Sequence, residues 1–181
     1  MLSVEHYHAV ADLLQTEPNP TRCWQALLAL AGLSSEERFK GVEVQDDVNT
    51  VAQQLREVWK QEPIPGGTAF LFFGLYDLAN QNTLQAQAGF YLSGGDGDPI
   101  KHLTAGKLSY FPVRRQLHSN VLNRIKAAEG EFPRESDFLD YALMLGGAAL
   151  IAREAVANLN VSLPVYAGFD SGDFVLASAR R

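Results

Sequence analysis

The sequence predicts an α+β protein in which a mainly antiparallel sheet of about five strands packs against several helices. Two adjacent runs within 66–93 have the apolar patterns of strands, and a second pair of strand-like runs closes the chain. In most of the remaining sequence, the apolar residues recur at the spacing of one face of a helix. The order of three helices, three strands, two helices and two strands has too few strand–helix alternations for a doubly wound parallel sheet.

The two runs within 66–93 are predicted to form a hairpin at the centre of the fold. The first run has apolar side chains on both faces, as in a strand covered on both sides, and one of these faces holds Phe70, Phe72, Gly74 and Tyr76. The second run alternates, so one of its faces meets water or a polar cavity. That face holds Gln85, Gln87, Tyr91 and Ser93. Residues 79–82 form the polar link.

The N-terminal part of the chain is predicted to contain three helices. Ser3 caps the first, and Asn19 before a proline begins the second, which is apolar around much of its circumference. Asp46 or Asp47 caps the third, whose apolar residues recur on one face.

The second half of the chain mixes strands and helices. We predict a flexible acidic loop at 94–99, a third strand at 107–113, a helix at about 119–129, a long helix from Ser136 to about 159 and a hairpin of strands 164–169 and 174–177. The whole chain is expected to form one domain with four segments: 1–62, 66–113, 117–159 and 164–178.

The long helix contains two adjacent glycines, Gly146 and Gly147. Each costs about 0.5 to 1 kcal/mol relative to alanine in a helix, so we expect a close backbone approach at this point. Internal packing is favoured because the helix is apolar nearly all round. A contact across the two-fold axis of a homodimer is the less favoured alternative.

Composition narrows the classes of partner. The formal net charge of −6 argues against binding to nucleic acids or to anionic membranes, whereas a basic protein would be well matched. The most apolar run, 141–152, is shorter than the roughly 20 residues that span a bilayer. The N-terminal residues lack the pattern of a secretory signal, and one cysteine permits no internal disulfide, so we expect a cytoplasmic protein.

Cys23 is the first candidate for chemistry. It lies in the first turn of the second predicted helix, where free amides and the helix dipole lower a thiol pKa. His102 is the better of two downstream histidines to serve as its base, with His118 as the other. A cysteine hydrolase is therefore one alternative function. The competing interpretation is that Cys23 is a small apolar residue of a buried helix.

Metal ligands are not expected. His6 and His8 are two residues apart, and such residues do not share a face of a helix. Two turns carry paired aspartates, but aspartate and glycine are also what turns use for local hydrogen bonds. These pairs are Asp96 with Asp98 and Asp170 with Asp173. The common nucleotide-binding and hydrolase motifs are absent, and no cofactor is predicted.

The leading hypothesis is a non-enzymatic protein-binding domain, such as an adaptor or an immunity protein that neutralises a toxin. Tyr91 and Tyr166 are predicted to be exposed beside the polar strand face, and aromatic residues commonly anchor interfaces. The third alternative is a small-molecule site where the two hairpins meet at the same end of the sheet. Its candidate residues are Tyr76, Asp77, Asp170 and Asp173.

Overall fold

The computed structural model describes residues 4–79, 86–128, 137–169 and 172–178. Its helices are α1 (Val4–Thr16), α2 (Pro20–Leu30), α3 (Val44–Gln61), α4 (Pro99–Ala105), α5 (Asn120–Ala128) and α6 (Asp137–Ala157), with a short 3₁₀ turn at Glu37–Phe39. Its strands are β1 (Phe70–Ala79), β2 (Ala86–Gly95), β3 (Gln116–His118), β4 (Val165–Phe169) and β5 (Phe174–Ser178). None of these described helices has the length and apolarity needed to cross a bilayer.

The strands form one sheet in the order β3-β2-β1-β4-β5. β1 lies in the middle, which confirms the central position predicted for the first hairpin. β1 pairs with β2 in antiparallel register, with Gly74 opposite Tyr91. β4 lies parallel to β1 on the other side, and β5 returns antiparallel to β4. The sheet is therefore mixed but mostly antiparallel, and the predicted α+β class is confirmed.

The main hydrophobic core lies on one face of this sheet. Alternate residues of the central strands, such as Leu71 and Phe73 of β1 and Phe90 of β2, belong to the same buried cluster as residues of all the described helices except α4. α6 runs through this core and contacts β1, β4 and β5, and its segment 148–152 is fully buried. The prediction of a long buried helix in the second half of the chain is thus confirmed.

The adjacent glycines of α6 face other helices within the same chain. A Cβ atom at Gly146 would lie 2.5 Å from a methyl carbon of Leu27 in α2. A Cβ atom at Gly147 would lie 3.4 Å from the Trp24 ring and 3.6 Å from Ile125 of α5. These contacts support the internal-packing interpretation, because the small-residue patch is covered by α2 and α5.

The start of α3 differs from the prediction. The helix begins at Val44, with Glu43 in the capping position and no side-chain cap. Asp47 therefore lies inside the first turn instead of capping its own helix. Its buried carboxylate accepts hydrogen bonds from the Ser119 hydroxyl and from the Asn120 N–H at 2.8 Å, at the beginning of α5.

The connection between β2 and α5 differs from the prediction at two further places. The strand predicted at 107–113 is reduced to one bridge between Gly94 and Tyr110, and β3 forms later, at 116–118. The backbone N–H of Val113 donates to the Glu62 carboxylate instead of to a strand, at 2.9 Å. The loop predicted at 94–99 leads instead into α4, where Asp98 accepts from the Lys101 N–H as N-cap.

Candidate functional site

The face of the sheet opposite the main core is built from aromatic side chains. We call this set the aromatic layer; it consists of Phe70, Phe72, Tyr76, Tyr91, Tyr166 and Phe174. Phe70 and Phe72 are buried, yet they lie outside the core cluster that the helices share. The tyrosines and Phe174 are half-buried. The layer is therefore a second apolar surface whose outer part reaches solvent.

Edge-to-face contacts connect rings that lie on four strands, β1, β2, β4 and β5. The Tyr166 ring lies 5.9 Å from that of Phe70 and 6.2 Å from that of Phe174. The Tyr91 ring lies 6.2 Å from that of Phe72. Such contacts add to the stabilisation from apolar burial, by about 0.5 to 1.5 kcal/mol per pair. Ring contacts thus join Phe70, Tyr166 and Phe174 in one group and Phe72 and Tyr91 in another.

Glycines on the neighbouring strands make room for the rings. Tyr91 extends over Gly74, where a Cβ atom would lie 1.9 Å from Cζ of the tyrosine. Tyr76 extends over Gly89 in the same way, with its hydroxyl 2.7 Å from the position of a Cβ atom. The tyrosine side chains therefore lie along the sheet instead of standing away from it. Glycine is required at both positions because no other residue leaves this space empty.

α4 closes one end of the aromatic layer. It has no buried residue, and the His102 ring packs edge-on against Phe70 at 6.3 Å between centroids. Nδ1 of His102 lies 3.9 Å from the carboxylate of Asp96. Asp98, at the start of α4, is close enough to Tyr166 for its charge to act on that residue. The border of the layer thus carries acidic groups, while its rings are uncharged.

The hydroxyls of Tyr76 and Tyr166 stay protonated in the physiological range, because the pKa of each is raised. Burial raises the pKa of Tyr76 above its usual value. Burial also raises the pKa of Tyr166, and the negative charge of Asp98 raises it further. Both phenols therefore act as neutral hydrogen-bonding groups on an apolar surface.

Both edges of the sheet are closed by side chains from helices. At the β5 edge, the Tyr7 hydroxyl donates to the Phe174 carbonyl at 2.7 Å, and Gln15 donates to the Leu176 carbonyl at 2.9 Å. At the β3 edge, the Gln54 amide pairs with the backbone of His118 through two hydrogen bonds, of 2.8 and 3.0 Å. Side chains that occupy edge groups in this way oppose the addition of another strand.

The structure does not provide the exposed thiol that the hydrolase hypothesis requires. Cys23 is fully buried in α2, and burial raises its pKa to about 11, although the nearby Arg153 acts in the opposite direction. His102 lies in α4, on the opposite face of the sheet from the core that contains Cys23. A buried thiol of raised pKa is a poor nucleophile, and the two residues are not brought together.

Two of the four candidate residues of the hairpin site, Tyr76 and Asp173, lie on different sides of the sheet. Tyr76 belongs to the aromatic layer, whereas Asp173 accepts a hydrogen bond from Tyr141 of α6 at 2.9 Å, on the helical side of the sheet. The charge of Asp173 also adds to the effect of burial in raising the pKa of Tyr7. Asp77 of β1 lies opposite Ala88 of β2, and Asp170 lies outside the described residues.

The described residues contain no group of three or more histidine, cysteine, aspartate or glutamate side chains that could hold a metal ion. His6 and His8 lie in α1, as predicted. In the Asp96 and Asp98 pair, the first faces His102 and the second caps α4. Asp98 therefore has a structural role, whereas the exposed Asp96 makes no hydrogen bond to His102.

A cavity of about 500 Å³ lies between the C-terminal ends of α1 and α6 and the end of β5. Arg153 and Glu154 are its charged lining residues, and Arg153 donates to the carbonyls of Leu14 and Glu17 and to the Glu154 carboxylate. The guanidinium thereby satisfies one carbonyl in the last turn of α1 and one just beyond the helix. We therefore regard Arg153 as a structural residue.

Sequence reasoning identified Tyr76, Tyr91 and Tyr166 but did not join them into one surface. The available signal was the repeated pairing of an aromatic residue with a small one across the first hairpin, as for Tyr91 with Gly74. This pairing can be recognised only when the register between β1 and β2 is known, and the sequence alone does not determine that register. No protein-family model, curated protein or solved structure matches this chain, so the site is assigned from its geometry.

Proposed function

We propose that this chain is a non-enzymatic protein-binding domain, that the aromatic layer is its docking surface and that its partner is a basic protein. The observation that carries the proposal is a sheet face of six aromatic residues that, among the described helices, only α4 borders. The other face is covered by the helical core, and both edges are closed. Half-buried tyrosines are typical anchors of protein interfaces.

Charge supports a basic partner. The chain carries a formal net charge of −6, and the carboxylates of Asp96 and Asp98 border the layer. Attraction between an acidic domain and a basic partner accelerates their encounter and selects against acidic competitors. We propose a cytoplasmic location because the one cysteine, Cys23, is a free thiol. An adaptor and a toxin-neutralising immunity protein would both use such a surface.

The test compares two variants that each remove a partly exposed aromatic ring. Tyr166→Ala removes a ring of the layer, and Phe111→Ala removes a ring that is 47% exposed in the loop before β3. Partners are captured from the native cell with each protein, and hydrogen exchange maps the contact surface. We expect wild type and Phe111→Ala to retain a basic protein that Tyr166→Ala loses, with protection on β1, β2 and β4.

Two results would overturn the proposal. The first is a partner that Tyr166→Ala retains as well as wild type does. The second is protection confined to the helical side of the sheet. Failure to capture any partner above background would also count against a protein-binding role. Circular dichroism of Tyr166→Ala before capture establishes that the variant is folded.

A further inference from the structure

We infer that the cavity between the C-terminal ends of α1 and α6 binds a small molecule that carries a primary ammonium group on an apolar chain. Among the described residues, those of the aromatic layer do not line this cavity, so the inference goes beyond the proposed function. The cavity volume of about 500 Å³ lies within the range of roughly 300 to 1,000 Å³ that is usual for small-molecule sites. Its apolar wall, its negative charge and the bonds of its arginine together indicate the ligand.

Apolar side chains form much of the cavity wall. They are Leu14, Pro18, Val156, Val161 and Leu163. Leu14 and Val156 are buried members of the main core, and Val161 and Leu163 pack against that core. The wall is therefore held in place by the core, and it suits an apolar chain, because each methylene withdrawn from water favours binding.

The negative ends of two helices meet at the cavity. Residues 14 and 15 lie in the last turn of α1, and residues 154, 156 and 157 lie in the last turn of α6. Neither of these last turns contains a basic side chain. Because the C-terminal end of a helix carries a partial negative charge, this arrangement favours a cation.

The carboxylate of Glu154 adds a full negative charge to the lining. Its Oε1 accepts from Nε of Arg153 at 2.7 Å, whereas its Oε2 makes no hydrogen bond or ion pair within the described part of the chain. The Glu154 side chain is 21% exposed, so it is partly withdrawn from water while it lines the cavity. An ammonium group, with three donors and a positive charge, matches the remaining oxygen.

Arg153 does not provide an equivalent site for an anion. Each of its three guanidinium nitrogens already donates: Nε to Glu154, Nη1 to the Leu14 carbonyl and Nη2 to the Glu17 carbonyl. The side chain is 11% exposed, and its charge also acts on the buried Cys23 thiol. An anionic ligand would compete with these bonds for the guanidinium, whereas an ammonium group leaves them in place.

The test compares three linear probes that share a five-carbon chain and differ in their charge: pentylammonium, pentanol and pentanoate. Binding is measured by NMR titration of the backbone amide resonances. We expect pentylammonium to bind about five- to tenfold more tightly than pentanol, because the carboxylate and the two helix ends attract its charge. Pentanoate should bind more weakly than pentanol. The largest shifts should lie at residues 153–163 and 177–178.

Two variants of equal charge connect the preference to Glu154. Glu154→Gln removes the carboxylate charge but keeps an acceptor for Arg153, so the advantage of pentylammonium over pentanol should fall toward one. Glu57→Gln removes the same charge from an exposed position on α3 and should retain the advantage. This control separates the site from the general attraction of a cation to an acidic protein.

Thermal melting verifies that both variants are folded. If Glu154→Gln does not fold, Ala157→Leu serves instead, since Ala157 is exposed at the end of α6 and lines the cavity. The larger side chain should weaken the binding of pentylammonium and pentanol alike.

Pentanoate that binds as tightly as pentylammonium would overturn the inference, as would the absence of saturable binding by pentylammonium. An ammonium preference that survives Glu154→Gln, unchanged binding to Ala157→Leu, or shifts that lie outside the cavity would overturn it as well. The proposed function would survive each of these results, because its partner capture and hydrogen exchange concern the aromatic layer. Conversely, a partner that Tyr166→Ala retains would overturn the proposed function whatever the three probes show.

Discussion

The buried carboxylate of Asp47 in α3 holds the first turn of α5, seventy-odd positions further along the chain. It accepts a hydrogen bond from the Ser119 hydroxyl and another from the backbone N–H of Asn120, while the Ser119 hydroxyl oxygen accepts from the N–H of Leu122 at 3.0 Å. Two helices are thereby joined through groups that neither could satisfy alone.

Replacing Asp47 with alanine should destabilise the protein strongly. The substitution leaves the Ser119 hydroxyl and the first N–H groups of α5 without a partner, and we expect a loss of about 2 to 4 kcal/mol in the free energy of unfolding. Urea denaturation measures this loss. Asp46→Ala is the matched control, because Asp46 carries the same charge in the same turn and is exposed. Equal losses in the two variants would contradict the prediction.

Gln54→Ala should open the β3 edge. The variant loses both hydrogen bonds to the His118 backbone, which corresponds to about 1 to 2 kcal/mol of stability. The unpaired edge should also promote self-association at high protein concentration, which sedimentation velocity detects. Gln53→Ala, an exposed neighbour on α3, should do neither. A monomeric Gln54→Ala of wild-type stability would show that the amide does not protect this edge.

Gly74→Ala should disturb the aromatic layer through Tyr91. The new methyl group would overlap the tyrosine ring, and moving the ring should cost about 1 to 3 kcal/mol. In a Tyr91→Ala background the same change should cost much less, so a double-mutant cycle reveals the coupling. Gly66→Ala, where the added carbon meets open space, is the control. Additive effects in the cycle would exclude contact between residues 74 and 91.

The two glycines of α6 should respond differently to alanine. At Gly147 the added carbon meets ordinary contacts, so Gly147→Ala should raise stability by up to about 1 kcal/mol through helix propensity. At Gly146 it would overlap Leu27, so Gly146→Ala should gain less or lose stability. Thermal melting compares the stability of the two variants. A Gly146→Ala variant that is more stable than Gly147→Ala would contradict the contact between Gly146 and Leu27.

A larger side chain at Gly147 tests whether this patch packs internally. Gly147→Leu should overpack the contact with Trp24 and cost about 1 to 3 kcal/mol. Sedimentation should show a monomer for wild type. A dimeric wild type whose Gly147→Leu variant becomes a stable monomer would instead place the patch in a subunit interface.

Cys23 should react slowly with iodoacetamide in the folded protein. The thiol is fully buried, and its pKa is raised to about 11, so little thiolate is present and the reagent has no access. Labelling at pH 8, followed by mass spectrometry, should approach the rate of the free thiol only after denaturant is added. Rapid labelling of the native protein would revive the hydrolase hypothesis.

The same thiol should make stability depend on alkaline pH. The pKa rises from 9.0 for an ordinary thiol to about 11 in the folded protein, mainly because of burial. Between these values the unfolded chain releases the proton and the folded chain keeps it, so stability present below pH 9 declines as the pH rises toward 11. Cys23→Ala should show a shallower decline. If stability falls equally steeply with pH in wild type and in Cys23→Ala, the Cys23 thiol does not cause the decline.

Local patterns in the sequence predicted those elements whose signals lie within a few residues. The Asn19-Pro20 start of α2 is confirmed, since the Asn19 side chain accepts from the Arg22 N–H at 2.9 Å. The alternation in β2 also placed Phe90 in the core and Tyr91 on the opposite face. A helix start depends on its capping residues, and the faces of a strand depend on the alternation of its side chains. Both are determined by residues that are neighbours in the sequence.

Short elements and distant partners were not predictable in this way. β3 has three residues and forms through its pairing with β2. The residues that cap α4 also have the composition of a loop, and the sequence predicts a loop there. Asp47 has the local pattern of an N-cap for its own helix, and only the fold shows that it binds the start of α5. For β3 and Asp47 a contact far along the chain outweighed the local preference, whereas α4 is defined by its own local caps, Asp98 and Gly106.

The sequence by itself determined the α+β class, the two hairpins and the acidic charge, because these follow from periodicity and composition. Tertiary structure decided the strand order, the parallel pairing of β1 with β4 and the closure of both edges. It also placed Tyr91 over Gly74 and brought the rings of four strands onto one face of the sheet. These relations depend on register and on packing between distant segments, which no local pattern of residues encodes.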